Sequence, residues 1–114
     1  MSKILICGSR NINITKEDID RELAGITVDK ILSGGARGPD SVAIQWAEEH
    51  EVPYYIVWPD WEKHGLSAGP IRNKAMVQLC DLCLAFWDGR SRGTMNTIIE
   101  AEKEGKILRV IQYE

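Results

Sequence analysis

A chain of 114 residues is long enough to bury a hydrophobic core in one domain, residues 1–114, without disulfides or a metal. Hydrophobic residues supply 44% and charged residues 27%, a balance ordinary for a soluble globular protein. The net charge of −3 argues against a general nucleic-acid binder. No apolar run reaches the length of a membrane span and no leader-like segment opens the chain, so the expected location is the cytoplasm.

Lys3-Ile4-Leu5-Ile6-Cys7, ended by Gly8, has the continuous apolar character of a buried parallel strand. Thr15-Lys16-Glu17-Asp18 is a capping-box pattern, and Ile19, Leu23 and Ile26 follow at helical spacing. Val28 to Leu32 reads as a second strand. Pro39 to His50 reads as a helix with Pro39 in its first turn and Val42, Ala43, Trp46 and Ala47 on one face. Tyr54 to Val57 is a third strand, Trp58 to Gly65 a loop, and Gly69-Pro70 the start of a helix running to about Leu79. Leu82 to Trp87 is a fourth strand, Thr94 to about Lys103 a helix, and Ile107 to Ile111 a last strand. The alternation predicts an α/β fold: a Rossmann-like three-layer sandwich with a five-stranded parallel sheet.

In such a sheet ligands bind beyond the carboxyl ends of the strands, where the strand order reverses. Four polar, Gly-rich segments fall on that edge. Ser33-Gly34-Gly35-Ala36-Arg37-Gly38-Pro39-Asp40 joins a strand to a helix N-terminus, where glycines allow close backbone approach and the helix end favours an anion. This predicts a phosphate cradle, with Arg37 as a permanent cation. The spacing is neither the nucleotide P-loop GxxxxGK[ST] nor the dinucleotide GxGxxG. Gly8-Ser9-Arg10 and Gly89-Arg90-Ser91-Arg92-Gly93-Thr94 offer a similar kit of amides, hydroxyls and guanidinia, and each also reads as a turn with an N-cap. Arg72 and Asn73 occupy the first turn of their helix, where an arginine opposes the helix dipole unless it meets a ligand or solvent.

Asp40 and Asp88 are the acids nearest these loops; each reads either as a turn or cap former or as an acceptor for ribose hydroxyls. Trp58, Trp61 and Trp87 are candidates to stack on a base, with stacking and packing evenly balanced for Trp61, whereas Trp46 belongs to a helix interior. His64 is a candidate general acid or base without an assignable partner. Cys80 and Cys83 form a CxxC at a helix-to-strand junction with no further ligands spaced for zinc. With Cys7 they read as reduced core thiols, and neither a metal nor a cofactor is called for.

Gly8-Ser9-Arg10, SGGARGPD at 33–40, AGPIRN at 68–73 and WDGRSRGT at 87–94 together resemble the SLOG superfamily, in particular its YspA-like branch. The resemblance spans nearly the whole chain. It implies a nucleotide or nucleotide-derived ligand bound at Gly8, Ser9, Arg10, Ser33 to Gly38, Asp40, Trp61, Arg72, Asn73, Asp88, Gly89, Ser91, Gly93 and Thr94, in a homodimer or higher homo-oligomer. An apolar exposed face on the helix that opens at Gly69-Pro70 suits such an assembly. Related LOG-type phosphoribohydrolases cleave the N-glycosidic bond of nucleoside monophosphates with an arginine and a glutamate. Arg72 matches that arginine, but Gly93-Thr94 is followed by Met95, Asn96 and Thr97, and the next acid, Glu100, lies almost two turns further on. The favoured reading is therefore a nucleotide-ligand sensor or sequestering protein; the alternative is a hydrolase whose proton transfer falls to Asp40, Asp88 or His64. A third class, DNA binding, follows from the superfamily's relation to DprA, and the acidic charge weighs against it.

Overall fold

The computed structural model describes residues 2–113. Five strands, β1 (Lys3–Gly8), β2 (Lys30–Ser33), β3 (Tyr54–Ile56), β4 (Leu82–Trp87) and β5 (Ile107–Gln112), form one parallel sheet in the order β3-β2-β1-β4-β5. The helices are α1 (Lys16–Glu22), α2 (Pro39–Glu49), α3 (Trp61–His64), α4 (Ala68–Leu79) and α5 (Arg92–Lys103). The order reverses between β1 and β4, whose ladder pairs Ile4 with Leu82 and Gly8 with Phe86.

Side chains of a strand alternate between faces, and β1 divides accordingly. Ile4 and Ile6 join Ile19, Leu23, Ala43, Trp46 and Ala47 under α1 and α2, while Leu5 and Cys7 join Met76, Val77 and Ala101 under α4 and α5. Because both faces of β1 and β4 are covered, both read as continuous apolar runs, and this made the three-layer architecture predictable. All three cysteines are buried and free. Burial pushes the Cys80 thiol up to about 12, and hydrogen bonding to Cys83 with burial raises Cys7 well above the usual thiol range. Neutral, packed thiols of this kind are core residues.

Local signals explain the boundaries. Thr15 Oγ1 accepts the Asp18 N–H at 3.2 Å and Asp18 Oδ2 accepts the Thr15 N–H at 2.9 Å, closing the expected capping box. Trp46 packs in the core with its indole N–H donating to Asp20 at 2.7 Å and its ring stacked on His50 at 4.1 Å between centroids. Several boundaries differ from the sequence expectation, most by a single residue. The segment expected to be a loop after Trp58 contains α3, capped by Asp60 Oδ1 accepting the Lys63 N–H at 3.1 Å, and a 3-10 turn over Gly65–Ser67. Helix α5 begins two residues early, at Arg92, because Ser91 serves as its N-cap. Strand β2 begins at Lys30 rather than Val28. No helix among the described residues is long and apolar enough to cross a membrane.

Candidate functional site

The loops after β1, β2 and β4 converge on a cleft of about 450 Å³ at the point where the strand order reverses, together with α4, whose start at Ala68 puts Arg72 and Asn73 in its second turn rather than the expected first. That volume lies within the range of small-molecule sites, about 300–1,000 Å³. The loops after β1 and β4 are stitched together beneath it. Ser9, only 1% exposed, accepts the Asp88 N–H at 3.1 Å on its Oγ, and its own N–H donates to Phe86 O at 3.0 Å. The Ser9 side chain is therefore internal, and Arg10 beyond it stands exposed at the rim.

The 33–40 loop is locked by its own acid. Asp40 is 6% exposed, and its Oδ2 accepts the Ala36 N–H at 3.3 Å. The buried Ser33 Oγ donates to Asp40 O at 3.0 Å and accepts the Gly35 N–H at 3.1 Å. Two of the amides expected to cradle a phosphate, those of Gly35 and Ala36, are thus occupied by Ser33 and Asp40. Arg37 turns outward, its Nη2 donating to Asn11 Oδ1 at 3.1 Å. Gly34 is required by close approach: a Cβ there would lie 2.7 Å from Arg72 Nη1 and 2.9 Å from Asp40 Oδ2. At Gly35 φ is +75°, and a Cβ would meet Ile56 and the Trp58 ring at 2.9 Å.

Arg72 fills the space that Gly34 leaves. Its Nη1 donates to Gly34 O at 3.0 Å and Val57 O at 3.2 Å, and its Nε donates to Asn73 Oδ1 at 2.9 Å. These bonds fix the guanidinium across the β2 and β3 loops and leave Nη2 without a protein partner among the described residues. Burial lowers the pKa of Arg72, opposed by the charge of Asp40. Burial also raises the Asp40 carboxyl to about 6, opposed by the Ala36 and Gly34 amides and by Arg72 and Arg10. Asn73 is buried beside them and donates to Asn96 Oδ1 at 3.0 Å.

The opposite wall is the N-terminus of α5. Asp88 Oδ1 accepts the Arg90 and Ser91 N–H groups at 2.8 Å each, a turn that holds its carboxyl below the usual range. Ser91 Oγ accepts the Thr94 N–H at 3.4 Å, while Thr97 Oγ1 donates to Gly93 O at 3.2 Å. Gly93, Thr94 and Thr97 line the cleft here, where first-turn amides and the helix dipole favour an anion.

Of the residues singled out by sequence, Gly8, Arg10, Ala36, Asp40, Arg72, Asn73, Asp88, Ser91, Gly93 and Thr94 line this cleft. Ser9, Ser33, Gly34, Gly35, Arg37, Gly38 and Gly89 do not; they shape or support its loops. Trp61 lies apart, beside Trp58 in a shallow groove, 58% exposed, and His64 sits at the end of the same short helix outside the cleft. The cleft gains Cys7, Asn11, Met76, Arg90 and Thr97, which sequence reasoning had not counted as ligand-binding. Thr97 and Met76 each fall three residues after a residue that was, Thr94 and Asn73, so helical spacing carried that signal.

A parallel sheet with this strand order, with a polar cleft at its reversal, defines a Rossmann-like α/β protein. The model of the YspA, cpYpsA-related SLOG family matches residues 2–64. The Gene 61 protein of Mycobacterium phage D29 is 38% identical over 118 aligned positions, covering 92% of this chain and 92% of the phage protein. The chain belongs to the YspA, cpYpsA-related SLOG family, a nucleotide-related Rossmann-like group, in agreement with the resemblance carried by its four motifs. The structure of DNA processing protein A (DprA) from Streptococcus pneumoniae superposes with a TM-score of 0.76 at 18% identity, over 99% of this chain and 50% of that one. At that identity the likeness is one of fold, and the present chain spans about half the length of the DprA chain.

Proposed function

We propose that the protein binds a phosphorylated nucleotide or nucleotide-derived ligand in this cleft, as a sensor or sequestering module. One observation carries the reading: the α5 N-terminus faces a cleft that also holds Arg10 and Arg72, whose Nη2 has no protein partner among the described residues. An anion entering there meets first-turn amides and two guanidinia, and charge-assisted bonds of this kind are the strong ones. Calorimetry with nucleoside mono-, di- and triphosphates and ADP-ribose derivatives tests it. Binding lost in Arg72→Ala supports the reading, and absence of binding across the panel refutes it.

A second reading is favoured by one specific feature. A carboxyl held near pKa 6 in a cleft is suited to general acid catalysis near neutral pH, so Asp40 is the candidate acid for hydrolysis of an N-glycosidic bond. Against it, the residue at 96, near where LOG-type enzymes need a carboxylate, is a neutral asparagine already engaged by Asn73. Chromatography of nucleoside monophosphates incubated with the protein decides between the two: release of free base that disappears in both Asp40→Asn and Arg72→Ala establishes the enzyme. Self-association is proposed through the outer face of α4, where Ile71 and Leu79 are 44% and 45% exposed, with light scattering as its test.

A further inference from the structure

The cleft continues beyond its rim. Asn11, Asp88 and Arg90 line both it and a second groove of about 740 Å³, whose other walls are Ile12, Asn13 and Tyr113. The two compartments differ in chemistry. The first holds Arg10, Arg72 and the α5 N-terminus; the second offers carboxamides, an apolar residue and an aromatic ring, with Arg90 at the boundary.

The groove is built on rigid parts. The Tyr113 N–H donates to Trp87 O at 2.8 Å, extending the chain past β5, and its half-buried ring meets Phe86 edge-on at 6.1 Å between centroids. Ile12 is 7% exposed, and its N–H donates to Ser9 O at 3.2 Å, so the 9–13 segment is tied to the same base as the first cleft. Arg37 holds the Asn11 side-chain oxygen, which leaves the Asn11 amide NH₂ as a donor, and Asn13 is exposed.

We infer that this second groove is a base subsite: a planar heterocycle lies against Tyr113, reads the carboxamides of Asn11 and Asn13, and projects its sugar past Asp88 and Arg90 so that its phosphate reaches the first cleft. An aromatic ring with amide donors and acceptors suits a nucleobase, which presents a π-face and a hydrogen-bonding edge. Asp88 spends Oδ1 on the Arg90 and Ser91 amides, which leaves Oδ2 available to accept a ribose hydroxyl at the junction. The inference rests on the nucleotide-binding reading and deepens it: the base, and not the phosphate alone, supplies recognition.

The test compares AMP and GMP with ribose 5-phosphate, which carries the phosphate and sugar without a base, by calorimetry on the full chain. The wild-type protein is expected to bind at least one nucleotide tenfold or more tighter than ribose 5-phosphate. Tyr113→Ala should remove that advantage, weakening the nucleotide about tenfold while leaving ribose 5-phosphate within twofold. Amide chemical shifts of Asn13 and Tyr113 in the wild-type protein should move with nucleotide and not with ribose 5-phosphate, a readout that stands if the alanine variant fails to fold. Equal affinity for nucleotide and sugar phosphate, or unmoved shifts at Asn13 and Tyr113 on nucleotide binding, overturns the base subsite while sparing the phosphate site. Failure of both ligands to bind overturns the underlying reading and the inference with it.

Discussion

Replacing Asp40 by Asn separates the cost of the buried acid from the rest of the fold. The carboxyl is 6% exposed and its pKa stands at about 6 against an ordinary 3.8, chiefly through burial. The folded protein therefore holds this proton more tightly than the unfolded chain does. Its contribution to stability is fully present below pH 3.8, declines as pH rises to about 6, and is absent above. At 1.36 kcal/mol per pH unit the loss across that window is about 3 kcal/mol. Asparagine has the same shape, keeps an acceptor for the Ala36 N–H, and carries no charge. Asp40→Asn is thus expected to match the wild type at pH 4 and to exceed it by up to about 3 kcal/mol at pH 7, or about 4 °C in Tm per kcal/mol for a chain of this size. Urea unfolding followed by tryptophan fluorescence at pH 4, 5, 6 and 7 measures this. Asp18 and Asp88, held below the ordinary range by backbone N–H groups, add stability that is lost as pH falls below about 4. They do so in both proteins, so the difference isolates Asp40. A variant no more stable relative to wild type at pH 7 than at pH 4 refutes the reasoning.

Arg72→Ala should lower nucleotide affinity by about 1.5–3 kcal/mol, and it should also cost about 1–3 kcal/mol of stability because Gly34 O and Val57 O lose a charged donor; calorimetry and urea unfolding read the two effects separately. Arg72→Lys is expected to restore little of either, since a single ammonium cannot span the acceptors that the planar guanidinium reaches. Gly35→Val should destabilise by about 3 kcal/mol or more, as a β-branched residue at φ +75° also collides with Ile56 and Trp58, and circular dichroism melts will show it. Arg37→Ala should weaken nucleotide binding far less than Arg72→Ala, because Arg37 does not itself line the cleft and reaches it only through its bond to Asn11 Oδ1; a tenfold loss in calorimetry would return Arg37 to the site.

The architecture was legible because both central strands are covered on two faces. Ile4 to Cys7 and Leu82 to Phe86 had to be apolar throughout, and the helical spacing between such runs fixes a parallel sheet. Helix α3 was not legible, since four residues are too short to display a period, although Asp60 three residues before Lys63 was a visible cap. The convergence of the polar loops followed from topology, so ten of the expected residues do line one cleft. What escaped was the use of each group. An acid that folds back onto the amide four residues before it, as Asp40 does onto Ala36, looks in sequence like any first-turn aspartate. The outward turn of Arg37 depends on Asn11, 26 residues away in the chain, and the separation of Trp61 from the cleft depends on α3. Local pattern carries none of that long-range geometry.

Native mass spectrometry of the protein purified from cells tests ligand binding at the cleft most directly. The expected spectrum shows a fraction of the protein carrying a noncovalent nucleotide-sized adduct, identified by its fragments, that disappears in Arg72→Ala and persists in Arg37→Ala. A bare protein mass that stays bare after incubation with nucleotides, or an adduct indifferent to Arg72, would contradict it.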